Sequence, residues 1–299
     1  MNRARLSVNV ENVHRRGILG QGIGVAVLDT GVYPHPDYKD RICCFRDFVG
    51  GRVSMYDDCS HGSHVIGIVA GNGKMSGGRY RGIAPACHVM SLKVLDRKGG
   101  GNRRDVLDGI DWVIKNKELY NIRILNISVG TEGEGYDADF KLVDSVERAW
   151  YAGLVVLVAA GNMGPDPMSI TAPGNSKKVF TVGSSDDFMK VGSYNNEKLY
   201  YSGRGPTREC VCKPDVVAPG SRIVSCSNMK VAGNGYYCTK SGTSMATPIV
   251  SGAVALLLCS SPGMTNVEVK MKLKETCDDI GRPHYQQGWG RINIGELLK

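Results

Sequence analysis

The sequence predicts an α/β protein of three layers, in which a mostly parallel central sheet is covered by helices on both faces. Short apolar, β-branched runs alternate along the chain with longer segments of helical periodicity, and this rhythm is typical of βαβ units. The chain contains neither an internal repeat nor a proline-rich linker. We therefore expect a single domain over residues 1–299.

The elements follow from the pattern in chain order. The predicted strands, which are short and apolar, cover residues 24–29, 89–95, 122–129, 154–160, 179–182 and 215–218. The predicted helices, which are longer and periodic, cover residues 61–70, 102–116, 138–152 and 244–258. Glycine-rich segments at 71–82 and 99–101 are predicted to be loops. Parallel sheets place their chemistry at the carboxyl ends of strands, and Asp29, Ser128 and Asn162 fall at such ends.

The composition is that of an ordinary soluble enzyme. The chain has 299 residues and a mass of 32.3 kDa, with 42% hydrophobic and 22% charged residues. No stretch approaches the roughly 18–20 consecutive apolar residues of a membrane span. Residues 1–20 lack the apolar core of a signal peptide. We therefore expect a cytoplasmic protein without a membrane partner, unless a precursor segment preceded this numbering.

The charge and the cysteines exclude other classes of protein. The formal net charge is +8, but the cations are scattered and no basic run is interleaved with aromatic residues, so we expect no nucleic-acid partner. The ten cysteines lack the spacing of zinc knuckles or of a thioredoxin-type redox motif. Without a signal peptide, free thiols are favoured over disulfides; a secreted, disulfide-bonded form stays the alternative.

Three residues in the order Asp29, His61 and Ser244 point to nucleophilic catalysis. Ser244 opens an apolar helical stretch, where the positive end of the helix favours developing negative charge. A serine hydroxyl is a weak nucleophile, so it needs an imidazole to take its proton and an acid to orient that imidazole. Alone, these residues could be a turn aspartate, a capping or core histidine and a helix N-cap. Their combination favours a catalytic triad.

His64 is the alternative to His61, because it lies one helical turn further on. We favour His61, since the residue nearest the helix start is the better placed to face a cleft. Two histidines at this spacing can also bind a metal, but no third ligand follows at metal-site spacing. No metal is therefore expected at this pair.

Seven motifs, taken together, resemble those of the subtilisin-like serine proteases, or subtilases. They include Asp-Thr-Gly after the first strand, His-Gly-Ser-His at a helix start and Gly-Thr-Ser-Met-Ala before the last long helix. The motifs occupy residues 27–32, 61–65, 82–85, 126–130, 159–162, 213–220 and 242–246, in the family's order. The match covers nearly the whole chain.

The resemblance implies a role for each catalytic residue. Ser244 would be the nucleophile, His61 the general base and then acid, and Asp29 the buried acid that orients His61. Asn162 matches the family's oxyanion-hole amide, which stabilises the negative charge of a tetrahedral intermediate. Without the other motifs, Asn162 would be read equally well as a turn residue.

The resemblance also implies how substrate binds. Ser128, Val129 and Gly130 would line the first specificity pocket, and Gly99, Gly100 and Gly101 would pair with substrate upstream of the cut. Binding through backbone hydrogen bonds tolerates many side chains, which favours a broad endopeptidase acting on proteins or peptides. Met163 would lie at the pocket mouth and favour an uncharged residue before the scissile bond. Cys59 would border the next pocket, either as a small buried side chain or as a thiol made acidic by the imidazolium.

No cofactor is expected, and the resemblance makes structural calcium a separate question. Many family members bind calcium, and Asp37 matches one family ligand position. The loop that would supply most other ligands, residues 71–82, has three cations and no carboxylate. Calcium prefers six to eight oxygen ligands, carboxylates among them, so we expect no calcium in this loop.

Three other functions remain as alternatives. A dedicated processing protease for one partner protein would share every motif but accept few sequences. A binding scaffold built on a dead protease would be expected to lack a triad member, and none is missing. An esterase of the α/β-hydrolase type would show Gly-x-Ser-x-Gly and the order Ser, Asp, His, whereas Ala246 replaces the second glycine here.

Overall fold

Seven parallel strands form the central sheet, with helices around it in three layers, as predicted. The computed structural model describes residues 1–130, 136–191, 199–228 and 235–299, and only the backbone of 136–139. Across the sheet the strands run in the order β2-β3-β1-β4-β5-β6-β7, all in parallel register. They are β1 (Gly24–Asp29), β2 (Ile42–Asp47), β3 (His88–Lys93), β4 (Ile122–Ile127), β5 (Val155–Ala159), β6 (Phe180–Ser184) and β7 (Val216–Ala218).

A two-stranded antiparallel ribbon and a set of helices complete the described chain. The ribbon pairs β8 (Ile223–Cys226) with β9 (Tyr237–Lys240). The α-helices of the described ranges are α1 (Asn2–Ser7), α2 (Glu11–Arg15), α3 (His61–Ala70), α4 (Arg103–Asn116), α5 (Tyr136–Tyr151), α6 (Thr243–Ser260), α7 (Asn266–Thr276), α8 (His284–Gln287) and α9 (Ile294–Leu297). Short 3₁₀ turns cover Lys39–Arg41 and Lys74–Ser76.

The long helices pack in pairs against the sheet. Helices α3 and α6 contact each other, and α6 also lies along β4, β5 and β6; helices α4 and α5 form a second pair. Helix α6 is long and apolar enough to cross a membrane by length and composition. However, 83% of it is buried inside the protein, and a central core helix has the same composition. Helix α6 is therefore a core helix, and its N-terminal turn contains most of the last sequence motif, residues 242–246.

The elements missed by the sequence patterns lie mainly at the edges of the fold. Strand β2 is an edge strand whose side chains are half-buried or exposed, so it lacks the apolar run that marks a buried strand. The predicted strand ends were wrong by up to two residues, since β3 ends at Lys93 and β4 at Ile127. In both cases the apolar run continues into the loop that follows. The predicted helix at 138–152 begins earlier, at Tyr136.

All ten cysteines lie in the described ranges and are free thiols.

Candidate active site

The sheet order creates a switch point beside β1. The chain passes from β1 to β2 and β3 on one side and then to β4 on the other, and parallel sheets bind ligands in the crevice that such a reversal leaves at the carboxyl ends. Leu28 is level with Ile127 in the paired strands, so Asp29 and Ser128 follow at the same height. The topology therefore places two of the predicted site residues at the mouth of one crevice.

Asp29 and His61 are in direct contact there. The Nδ1 atom of His61 lies 2.7 and 2.9 Å from the two carboxylate oxygens of Asp29. Asp29 is buried, whereas the imidazole keeps 24% of its side-chain surface exposed. A buried carboxylate that holds Nδ1–H fixes the tautomer in which Nε2 carries the free lone pair. Among the described residues, Nε2 has no hydrogen-bond partner, so it is open to the crevice.

The environment of His61 favours a basic imidazole. Burial alone would lower its pKa, but the charge of Asp29 and the hydrogen bond to it outweigh burial and raise the pKa of His61 above its usual value. The cation of Lys240 opposes this increase. Because the neighbouring carboxylate stabilises the imidazolium, His61 is suited to accept a proton.

His64 lies in a different environment. It is fully buried, and its Nε2 donates to the carbonyl oxygens of Ile223 and Cys238, at 3.0 and 3.2 Å. Burial, together with the nearby cation of Lys240, lowers the pKa of His64 well below its usual value. His64 is therefore a neutral core residue that attaches α3 to the β8–β9 ribbon.

Ser244 and Asn162 meet at the start of α6. Ser244 is the second residue of that helix, and the side-chain oxygen of Asn162 accepts from the Thr243 backbone N–H at 2.9 Å. This bond fixes Asn162 beside Ser244 and leaves its NH₂ group as a donor. The Ser244 hydroxyl donates to the carbonyl oxygen of Ser128, at 2.8 Å. Ser244 is thus joined to the end of β4 in this structure rather than to His61.

A series of buried polar side chains connects helix α6 to the end of β4, next to Ser244. Ser251, two turns along α6, donates to the Asn126 side-chain oxygen at 2.8 Å, and the Asn126 amide donates to the Ser128 hydroxyl at 2.9 Å. These side chains fix α6 against the end of β4. The sequence placed Asn126 inside a motif but gave it no role. A polar residue within an apolar strand is the signal that could have identified it.

A pocket of about 480 Å³ lies between the two segments predicted to hold substrate. Its described lining includes Gly99, Gly100, Gly101, Val129 and Gly130. Apolar side chains form much of the remaining wall, and two cations also line it; these residues are Leu95, Val106, Leu142, Lys98 and Arg103. Met163 and Cys59 are not among the lining residues. Met163 is instead 57% exposed.

Cys59 lies two residues before His61, and its surroundings favour the neutral thiol over the acidic alternative. Burial raises the pKa of the Cys59 thiol, although its sulfur accepts a hydrogen bond from the His61 backbone N–H, which acts in the opposite direction. The nearby carboxylates of Asp57 and Asp29 also favour the neutral thiol. The residue is only partly buried. Desolvation is thus the main influence on the pKa of this thiol.

Asp37 is surrounded by protein donors. One carboxylate oxygen accepts from the Met75 backbone N–H at 2.9 Å, and the other accepts from the Tyr237 hydroxyl at 2.7 Å and the Cys226 thiol at 3.6 Å. These donors come from the 71–82 loop and the β8–β9 ribbon and point at the oxygens that a calcium ion would need. Calcium therefore does not fit at Asp37 as the chain is arranged. His35, Asp37 and Cys226 are close enough to hold a metal, but the His35 Nδ1 already accepts from the Asp37 N–H.

The fold and the site together define an α/β protein with a carboxylate–imidazole pair and a helix-terminal serine at one sheet edge. The subtilase family model matches residues 20–290. The chain is 42% identical over 287 residues to serine protease AprX of Bacillus subtilis (strain 168), and the match covers 90% of this chain and 65% of AprX. It is 32% identical to subtilisin Savinase of Lederbergia lenta, with 96% and 94% of the two chains covered. The solved structure of sphericase has a TM-score of 0.77 at 28% identity and covers 92% of each chain. The chain belongs to the subtilase family.

Proposed function

We propose that the protein is a serine endopeptidase that cuts peptide bonds through Asp29, His61 and Ser244. The observation that carries the proposal is the contact between His61 Nδ1 and the buried Asp29 carboxylate, which leaves Nε2 as the base. The relatives named above are serine proteases, and this supports the same chemistry here. AprX extends well beyond the matched region, so activity, substrates and partners of the whole protein are part of the proposal.

The reaction proceeds in two halves. The Ser244 hydroxyl leaves the Ser128 carbonyl, gives its proton to His61 Nε2 and attacks the scissile carbonyl carbon. The resulting imidazolium is stabilised by Asp29 and returns the proton to the leaving amine as the C–N bond breaks. Water then attacks the acyl-enzyme, with His61 again acting as base and then acid. The Ser244 hydroxyl and the carboxylic acid product are released.

Asn162 and the start of α6 stabilise the oxyanion in both halves. The Asn162 NH₂ group and the Ser244 backbone N–H are the two donors that are free at this position among the described residues. The N-terminal end of the 18-residue helix α6 contributes a favourable potential for negative charge. These groups act on the charge that develops during attack, so they favour kcat more than binding.

The pocket beside residues 99–101 supports binding of an extended peptide. Gly99 to Gly101 are exposed. The N–H groups of Gly99 and Gly100 are bonded to Asp96 within a turn, so pairing with a substrate strand would use the other backbone groups of this segment. The apolar walls from Leu95 and Val106 would accept a large apolar side chain upstream of the cut. Backbone pairing and one apolar pocket together favour broad rather than single-sequence specificity.

A covalent inhibitor tests the triad directly. The purified chain should hydrolyse casein, and a sulfonyl fluoride should abolish this activity while mass spectrometry locates one adduct on Ser244. Ser244→Ala should keep the fold and lose activity and labelling. Ser260, the exposed last residue of the same helix, provides the control, since Ser260→Ala should behave as wild type. Wild-type proteolysis by Ser244→Ala would refute the assignment.

Cleavage of a peptide library separates broad digestion from dedicated processing. A broad endopeptidase should cut many sequences, with large apolar residues enriched upstream of the cut. Restriction to a few related sequences would instead favour the processing protease. No cleavage at all by a folded, sulfonyl fluoride-reactive protein would contradict both.

A further inference from the structure

The start of helix α3 is capped by a residue that the triad does not include. Helix N-termini expose backbone N–H groups that need acceptors, yet Ser60, the residue before His61, makes no side-chain cap and has a φ of 69°. The acceptors come from Asp57 instead. Its Oδ2 accepts from the Ser63 N–H at 2.8 Å, and its Oδ1 accepts from the Ser60 N–H at 2.8 Å.

Asp57 also holds the end of β1. Its Oδ1 accepts from the Thr30 hydroxyl at 2.9 Å, and that hydroxyl in turn accepts from the Gly62 N–H at 2.9 Å. Thr30 directly follows Asp29 and donates its N–H to the Asp29 carboxylate at 2.7 Å. One carboxylate therefore connects the residue after Asp29 with the residues on either side of His61.

The connection is buried and densely bonded. Asp57 is 2% exposed. Its carboxylate also accepts hydrogen bonds from the Cys59 N–H at 3.1 Å and from the Ser63 hydroxyl at 2.6 Å. A carboxylate with this many donors has no freedom to reorient, since each lost bond would leave a buried N–H or O–H unsatisfied. The mutual position of β1 and α3 is thus set by polar contacts at Asp57 rather than by packing alone.

We propose that Asp57 is a positioning residue, which fixes the start of α3 against the end of β1 and so maintains the contact between Asp29 and His61. This inference rests on the proposed function only for its effect on rate. Asp57 does not touch Nδ1 or the crevice. Asp57 acts on Asp29 through Thr30, and it acts on His61 through the N-terminal residues of α3.

Titration of His61 by NMR in Asp57→Asn tests the proposal without reference to activity. Asn keeps the size but replaces one acceptor by an NH₂ group that faces donors. The contact with Asp29 should loosen, and the His61 midpoint should fall from its raised value toward the ordinary value of about 6.5. The charge of Asp57 also raises the pKa of His61 directly, so part of this fall would follow from the lost charge alone. Thr30→Val, which keeps the charges of Asp57, Asp29 and Lys240, is therefore measured beside it. Asp29→Asn gives the reference for complete loss of the pair.

Asp47 provides the matched control. It accepts from the backbone N–H groups of Val49, Gly50 and Arg52 and from the Tyr56 hydroxyl, but it has no contact with Thr30 or α3 among the described residues. Asp47→Asn should leave the His61 midpoint and kcat unchanged. In Asp57→Asn kcat should fall by roughly 10²-fold with little change in KM, as expected for a displacement of about 1 Å.

Each result decides the question. A wild-type His61 midpoint in folded Asp57→Asn would show that Asp57 serves stability alone and would overturn the proposal. Thr30→Val removes the hydroxyl that joins Asp57 to Gly62 but keeps the charge of Asp57, so a fall in the midpoint there reports lost positioning. An unchanged midpoint in folded Thr30→Val would overturn the proposal whatever Asp57→Asn shows. If the wild type proves inactive, the endopeptidase proposal fails, while the NMR shift still reports on Asp57.

Discussion

Asn162 is predicted to contribute to rate rather than to substrate binding. Its oxygen is used by the Thr243 N–H, so its NH₂ group is held in one orientation. Asn162→Leu should lower kcat by roughly 10²–10³-fold, the loss measured when an oxyanion-hole donor is removed from subtilisin, and leave KM nearly unchanged. Steady-state kinetics on a peptide amide measure both. An unchanged kcat would make Asn162 a turn residue only.

Cys59 should make the enzyme sensitive to thiol reagents, although it takes no part in catalysis. Its sulfur lies against the His61 N–H, so a bulky adduct would obstruct the crevice. Maleimide reacts with the thiolate, and burial raises the thiol pKa, so the rate of inhibition should still be rising above pH 9. Cys59→Ser should stay active and become resistant. Cys43→Ser, at an exposed cysteine of β2, should stay sensitive; equal sensitivity of both variants would assign the effect to another thiol.

At the scale of elements, protein hydrogen bonds connect the loop at residues 71–82 to the fold, and we predict that the loop needs no cation. Asp37 accepts from Met75 in this loop and from Tyr237 in β9. A chelator should therefore leave the melting temperature and the resistance of Lys74 and Arg79 to limited proteolysis unchanged. Asp37→Asn should instead increase cleavage at these two sites, because it removes an acceptor. Cleavage that begins only after chelation would show that a cation holds the loop.

Helix α7 is attached to the sheet through Lys270, which should make stability depend on pH. The Lys270 ammonium lies 5.2–5.9 Å from the ring centres of Trp150, Phe180 and Trp289 and 3.4 Å from Asp215. Burial lowers the pKa of Lys270 to about 8, with the cations of Lys213 and Lys178 acting in the same direction and Asp215 opposing them.

The direction of the effect follows from proton uptake. Between pH 8 and about 10.4, the ordinary pKa of lysine, the unfolded chain binds more protons than the folded protein, so this group makes the free energy of unfolding rise with pH. Urea titrations across this range should show that Lys270→Met removes that contribution. Lys274→Met, at an exposed position of the same helix, should retain it. Identical pH dependence in Lys270→Met and wild type would contradict the assignment.

At the scale of the whole molecule, the sequence predicted the buried centre of the fold better than its periphery. Strand β1 and helix α3 were predicted with their observed ends, because both are wholly or almost wholly buried and their apolar runs reflect that burial. Edge strand β2 and the half-buried ribbon strand β9 carry no such run. The role of Asp57 could not be predicted from the sequence, since an aspartate a few residues before a serine is also typical of ordinary turns. Three-dimensional contacts alone distinguish it.

The three proposed catalytic residues lie on or next to elements of one buried core, and this should appear in hydrogen exchange. Strand β1 is fully buried, α3 is buried from Gly62 to Ala70, and α6 packs against α3. Amides whose protection depends on the same core open together, whereas exposed loops open locally at lower free energy. In Ser244→Ala, which avoids self-digestion, amides of β1, α3 and α6 should therefore exchange with one common free energy, close to that of global unfolding. Amides near Lys74 should exchange faster. Exchange in α3 at a clearly lower free energy than in β1 would show instead that the helix bearing His61 opens independently, and that the Asp29–His61 pair can separate within the native state.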